Sequence, residues 1–359
     1  MRQTGGETPD QVRRDSERGG GYDQNRLIIS RNKFLMTSGF LLTNYLAAGN
    51  RFWRGKMRVL TRSDFDGLAC CVLLKEMGVM TDVTFVHPKD IQDGKVGVTP
   101  DDVLANVPYM KGCGLWFDHH SSEDERHGTK NFKGDSRPAP SAARVIYEYY
   151  DGHKKLGHLE EFVINVDKSD SGQFTREEIL NPKGWVLLSF IMDPRTGLGR
   201  YRDYRISNYN LMLDMIGYCS RKTIGQILAE PDVKERVERY FAQEREFEEM
   251  VKKFTTTDGN VILTDLRGQE EIKTGNRFVI YALYPDQNIS IWLIDGRARQ
   301  NAVFAVGHSI LNRASKTNVG SLMLKYGGGG HGTVGTCQVP YDDAPRVLRE
   351  LVHTMKKDG

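Results

Sequence analysis

The chain has little cysteine, almost no net charge and no long apolar run. Its five cysteines, Cys70, Cys71, Cys113, Cys219 and Cys337, are odd in number and lack any C-x-x-C spacing. They therefore read as reduced, buried thiols of a cytosolic protein, not as a disulfide framework. No apolar stretch approaches the roughly 20 residues that span a bilayer. The longest candidate, 39–48, is interrupted by Thr43 and Asn44 and lies behind a long polar leader, which argues against a signal peptide. Lys and Arg number 50 against 47 Asp and Glu, a net charge of +3. That balance is too even for a non-specific coat on long duplex nucleic acid, so an anionic substrate must be held by a local site.

What is present suits a globular protein of two domains, with 39% hydrophobic and 27% charged residues over 359 positions. Residues 1–56 carry Gly19, Gly20, Gly21 and many Arg and Asp without periodicity, and read as a poorly ordered extension. The run Met57-Arg-Val-Leu-Thr looks like a native start passing directly into a strand. Strands are expected at 58–61, 83–87, 103–107 and 115–117, with helices at about 67–77, 141–150 and 156–164 and an apolar segment at 185–192. This alternation predicts an α/β domain with a mainly parallel sheet over 57–230. Residues 232–254 show the apolar spacing of a charged amphipathic helix, and 231–257 is assigned as a linker. Short β-branched strands then appear at 261–263, 278–283, 289–294 and 302–306, followed by a helix at 319–326 and a glycine loop. They predict a smaller α+β domain over 258–359.

Three segments bring chemistry. Asp64-Phe-Asp66-Gly67 follows an apolar strand and precedes a helix, where open α/β sheets bind ligands. Its two carboxylates are hard oxygen donors suited to Mn²⁺ or Mg²⁺, although Asp-x-Asp-Gly alone is usually only a turn. A second strand ends in Asp118-His119-His120, polar groups that need a metal or mutual hydrogen bonds if buried. The plain alternative is a capping aspartate beside surface histidines. Asp167-Lys-Ser-Asp170-Ser-Gly172 adds carboxylates after a helical segment, and by itself resembles a loop.

In that order, and with Gly327-Gly-Gly-Gly330-His331 downstream, these segments resemble the DHH phosphoesterases with an attached DHHA1 domain. The group includes RecJ-like exonucleases, oligoribonucleases, phosphoadenosine phosphate phosphatases and cyclic-dinucleotide phosphodiesterases. The resemblance covers residues 58–339. It implies a DHH domain joined by a helix to a DHHA1 domain, and two Mn²⁺ or Mg²⁺ ions per site. Metal ligands would be Asp64, Asp66, His119 and Asp170, while His120 faces the substrate and Asp118 orients a histidine from behind. Two positions depart from the pattern. Arg62 and Leu60 stand where members place a histidine, and Asn106, a candidate metal contact but a weaker and neutral bridge, stands where they place an aspartate bridging both metals. Arg62 is then a candidate contact for a substrate phosphate.

The glycine loop, Gly328, Gly329 and Gly330 with His331, is a candidate phosphate cradle, because exposed amides can approach an anion closely there. Asn312 and Arg313 just upstream are further substrate candidates, since an arginine fork matches phosphate. The polar segment 193–200 either closes over a nucleobase or simply connects helices. The expected activity is hydrolysis of short 5′-phosphorylated oligoribonucleotides or linear dinucleotides such as pGpG. Alternatives are a 3′-phosphoadenosine 5′-phosphate phosphatase, a polyphosphate hydrolase, or a nucleotide-binding sensor without turnover. The expected setting is cytoplasmic, with a small nucleotide as partner, no membrane contact, and a homodimer left open.

Overall fold

In the computed structural model, which describes residues 57–120 and 131–359, the fold opens on an apolar strand and the helix it feeds. The extension expected at 1–56 lies outside the described residues. β1 (Met57–Thr61) runs through Ser63 into helix α1 (Phe65–Glu76), capped by the Asp64 side chain. Ten successive residues of α1, Phe65 to Leu74, are buried. A helix apolar on all sides must be covered on all sides. Here the sheet lies on one side, with α2 (Ala142–Tyr149), α3 (Glu160–Asp170) and helix Asn208–Arg221 on the others.

The first sheet adds β2 (Met80–Phe85), β3 (Asp102–Ala105), β4 (Leu115–Asp118) and β5 (Gly134–Ser136) in the order β2-β1-β3-β4-β5. Every neighbouring pair is parallel. Alternate side chains serve two cores, as a strand period of two requires. Val59, Val103, Ala105, Leu115 and Phe117 face the helices, whereas Leu60, Leu104 and Trp116 pack with Ile91 and Val107 on the other face. The chain leaves β1 for β2 on one side and returns to β3 on the other. That reversal opens a crevice at the carboxyl ends of β1 and β3.

The 24-residue helix Pro231–Phe254 leads to a second, mixed sheet. Its strands are β6 (Thr255–Asp258), β7 (Val261–Asp265), β8 (Ile289–Asp295), β9 (Ala302–His308), β10 (Gly329–Gly330) and β11 (Val334–Val339). They lie in the order β10-β11-β9-β8-β7-β6, with only β7 and β8 parallel. Helix Ala344–Asp358 covers part of this sheet through Val347, Leu351 and Met355. Phe247, Met250 and Val251 of the long helix share one core with Phe174 and Phe190 before it and Phe278 and Ile280 after it. Among the described residues no helix is long and apolar enough to cross a membrane.

Two expectations need correction. Residues 278–283, read as a strand, form helix Val279–Leu283, because the Asn276 side chain accepts the Phe278 amide at 2.9 Å and starts a turn. So short an apolar run carries no decisive period. Asp170, read as lying in a loop after a helix, is instead the last residue of α3. β5, β6, β10 and β11 were not anticipated. Three of them are short, and β6 is a nearly exposed Thr-Thr-Thr-Asp.

Gly67 sits where α1 turns off β1, and a Cβ there would stand 2.1 Å from the Arg62 carbonyl oxygen and 2.8 Å from Thr61 Oγ1. Gly67→Ala should therefore destabilise the protein by about 1–3 kcal/mol. Thermal denaturation of the two proteins tests this, and an unchanged melting temperature contradicts it.

Candidate metal and substrate site

Three adjacent strands deliver polar groups to one rim. Asp64 and Asp66 follow β1, Asn106 follows β3, and Asp118, His119 and His120 end β4 and continue beyond it. Asp66 is 2% exposed, and a carboxylate so deeply placed needs donors on both oxygens. The first amides of α2 supply them, Ala142 to Oδ2 at 2.9 Å and Ala143 to Oδ1 at 2.8 Å. The positive end of the helix dipole adds to the attraction.

A cross-link behind the carboxylate fixes α2. Ser141, its N-cap, accepts the Arg144 amide at 2.9 Å and donates to Asp167 Oδ1 at 2.7 Å, while Arg144 Nε donates to Asp167 Oδ2 at 2.8 Å. Asp167 lies on α3 one turn before Asp170. The same ion pair thus sets the spacing between the helix that holds Asp66 and the helix that carries Asp170.

His119 closes the group. Its Nδ1 is 3.1 Å from the Ala139 carbonyl oxygen, which can only accept, so Nδ1 carries the proton and Nε2 presents a lone pair. Nε2 stands 3.3 Å from Asp170 Oδ2 and 3.8 Å from Asp66 Oδ2, and is buried without a hydrogen-bond partner. Ligand atoms of Asp66, His119 and Asp170 all lie within 4.8 Å of one another. Burial raises both carboxyl groups above the ordinary range. Three electron-rich atoms meeting with no donor between them are what a bound divalent cation would satisfy, so these residues fit one.

Asp64 is differently placed. Its Oδ1 accepts the Gly67 amide at 2.9 Å and Asn106 Nδ2 at 3.3 Å, and its Oδ2 is paired with Arg62 Nε at 2.9 Å. Asn106 has φ 55° and a buried Oδ1 without a partner. Arg62 and Asn106, the two departures from the family pattern, thus both turn onto Asp64.

On the other side of the rim, Asp118 Oδ1 holds His120 Nδ1 at 2.7 Å, and the His120 ring stacks on His331 with centroids 4.8 Å apart. Burial opposes charge on His120, but the hydrogen bond and charge of Asp118 outweigh it and raise the ring's pKa. Burial, then His120 itself, lowers His331 to about 4. The pair can therefore hold one proton without like-charge repulsion.

These rings border a pocket of about 680 Å³, lined also by Arg62, Asn106 and Gly327 to Gly330. The size suits a nucleotide. The glycines work differently from a free cradle. The amides of Gly327, Gly328 and His331 already donate to Leu324, Met323 and Val334, and Gly329 and Gly330 pair with β11. A Cβ on Gly328 would meet the Thr336 carbonyl oxygen at 2.0 Å, so glycine is needed for this close approach, which brings His331 onto His120.

Asn312 and Arg313 lie away from that pocket. Asn312 Nδ2 donates to the Pro285 and Asp286 carbonyls, and Arg313 Nη2 to the Gly172 carbonyl at 2.9 Å, tying the turn that follows α3 to the segment after β9. Sequence reasoning missed the Ser141–Arg144–Asp167 cross-link. A Ser that starts a helical run was visible, but its partner 26 residues on was not.

No family model matches the chain, and no curated protein does. Among solved structures, a pGpG-specific phosphodiesterase, PggH of Vibrio cholerae, is 50% identical, covering 85% of this chain and 100% of its own, with a TM-score of 0.70. RecJ of Thermus thermophilus in complex with Mg²⁺ is 14% identical, covering 84% of this chain and 50% of its own, with a TM-score of 0.40.

Calorimetric titration with Mn²⁺ tests the cation nest. His119→Ala should abolish detectable binding, and Asp167→Asn should weaken it about 10- to 100-fold by freeing α2 from α3. An Asp167→Asn protein that binds like wild type removes the cross-link from the site.

Proposed function

The chain belongs to the DHH phosphoesterases with an attached DHHA1 domain, and from that membership we propose that it hydrolyses linear dinucleotides such as pGpG to mononucleotides. The observation that carries this reading is the unpartnered His119 Nε2 between Asp66 and Asp170, set at the rim of a nucleotide-sized pocket. The 50% identical pGpG-specific phosphodiesterase supports the substrate.

In the reaction, water adds to the phosphorus, the bond from phosphorus to O3′ breaks, and O3′ takes a proton, so pGpG yields two 5′-GMP. Asp66, His119 and Asp170 would hold a divalent cation, which when bound would supply charge that favours deprotonation of water and offsets charge building on the phosphoryl oxygens. Asp118 keeps the His120 Nδ1 proton in place and the ring oriented. His120 Nε2 is then the atom that delivers a proton to the leaving O3′. His331, stacked and neutral, excludes water from that face without competing for the proton.

We read one cation per site, Mn²⁺ or Mg²⁺, where the family pattern led us to expect two. The Asp64 carboxylate accepts from Gly67 and Asn106 and pairs with Arg62, and the Arg62 guanidinium brings the positive charge a second ion would otherwise provide. Asn106 in place of an aspartate brings no charge to hold another.

Incubation with pGpG should release GMP, stop on chelation and resume with Mn²⁺ or Mg²⁺. His120→Ala should lower kcat about 10²- to 10⁴-fold with cation binding retained. Tight pGpG binding without GMP release would leave a nucleotide sensor in place of an enzyme. Equilibrium dialysis of the same protein should find one Mn²⁺ per chain, and two would refute the role given to Arg62.

A further inference from the structure

The acidic rim has a second side that the catalytic reading leaves unused. Beyond Asp66 and Asp170 the structure forms a narrow slot of about 40 Å³, which Arg195 and Arg277 line together with Asp64 and Ser169. The two arginines come from different parts of the chain. Arg195 follows helix Gly184–Met192, and Arg277 lies two residues before helix Val279–Leu283, beyond the long linking helix. One carboxylate joins them. Asp193 Oδ1 accepts Arg195 Nε at 2.8 Å and its Oδ2 accepts Arg277 Nε at 3.2 Å.

Both guanidiniums are held from behind. Asp193 Oδ1 also accepts the Arg195 amide at 2.9 Å. Arg277 lies 3.9 Å over the Phe278 ring, and its segment is fastened on both sides, with the Gly275 amide donating to the Thr196 carbonyl and Asn276 Nδ2 to the Ile179 carbonyl. Each arginine is gripped through Nε alone. Among the described residues the terminal nitrogens of neither have a hydrogen-bond partner, so the forks are oriented and free. Two like charges share a single carboxylate, and burial together with Arg195 works against the charge on Arg277. An anion between the forks would relieve that opposition.

The size of the slot selects the anion. About 40 Å³ holds a few waters or one phosphoryl group and excludes a nucleobase. The segment 193–200, which could have closed over a base, instead offers a fork suited to paired oxygens. We infer that Arg195 and Arg277, aligned by Asp193, form a clamp for the non-bridging oxygens of the phosphate that reacts beside Asp66 and Asp170. The inference rests on the phosphodiesterase reading for the identity of that phosphate. The charge of the clamp then grows in effect as the phosphoryl oxygens gain negative charge.

Binding of inorganic phosphate in a magnesium buffer, followed by calorimetry, isolates the clamp from turnover. Arg195→Gln and Arg277→Gln should each weaken phosphate binding about 10- to 100-fold, the range of a hydrogen bond to a charged group. On pGpG each should lower kcat about 10²-fold. Arg195 is exposed, so Arg195→Gln should retain the fold and the Mn²⁺ affinity even if Arg277→Gln unfolds. Arg195→Lys, which keeps the charge but loses the fork, should fall between. Phosphate isotherms unchanged in affinity and stoichiometry in folded variants, or no phosphate binding by the wild type, would overturn the clamp. A wild type that binds phosphate through these arginines yet leaves pGpG intact would instead sink the phosphodiesterase reading and leave the clamp standing.

Discussion

The structure depends on keeping one buried carboxylate ionisable. Asp66, almost without solvent, is acceptable only because the first two amides of α2 take both its oxygens. Hydrogen bonds to a charged group contribute about 1.5–3 kcal/mol each, which is the scale needed to offset part of its desolvation. That requirement places the end of α2 against α1. It also explains why Arg144 and Asp167 are joined where two helices could have packed through apolar contacts, since α2 must be fixed in distance as well as in direction. His119 and Asp170 then complete the group, in which His119 Nε2 is buried without a hydrogen-bond partner.

Much of this was legible along the chain because its informative residues sit at ends of strands. Asp64, Asp66 and the triplet Asp118 to His120 each follow an apolar strand, and in a parallel sheet such positions necessarily share a rim. The alternation of strands and helices in 57–230 was similarly direct. The errors fall where local pattern is weak or overridden. Val279–Leu283 has strand composition but follows the Asn276 cap into a turn, and β6 pairs through its backbone with side chains that reveal nothing. The Arg195–Asp193–Arg277 arrangement was out of reach for another reason, because Arg277 joins it from 84 residues away and no local spacing announces the contact.

The glycine run is held in the fold in a way its sequence did not announce. Four glycines suggested free amides for a phosphate, yet three amides of the Gly327 to His331 run are already engaged within the protein. What glycine supplies is nearness. Without Cβ atoms the run lies against β11, and His331 at its end reaches the His120 ring across the cleft. On the proposed function, recognition at this wall would fall to side chains, the stacked imidazoles and Arg62, more than to the backbone.

Charge placement around the rim gives the cleft a direction. Arg62 is paired with Asp64 and borders the larger pocket, while Arg195 and Arg277 border the slot on the other side of the carboxylates. The Asp66, His119 and Asp170 group lies between them. An unbound arginine beside Asp66 or Asp170 would pair with it and block the nest, so Asp193 has a use beyond linking two halves of the protein. By occupying Nε of both arginines it keeps them facing the slot and off the ligands. On the proposed function, a dinucleotide would lie with a nucleoside in the larger of these two pockets and its phosphate beside Asp66 and Asp170, because the slot of about 40 Å³ has no room for a base.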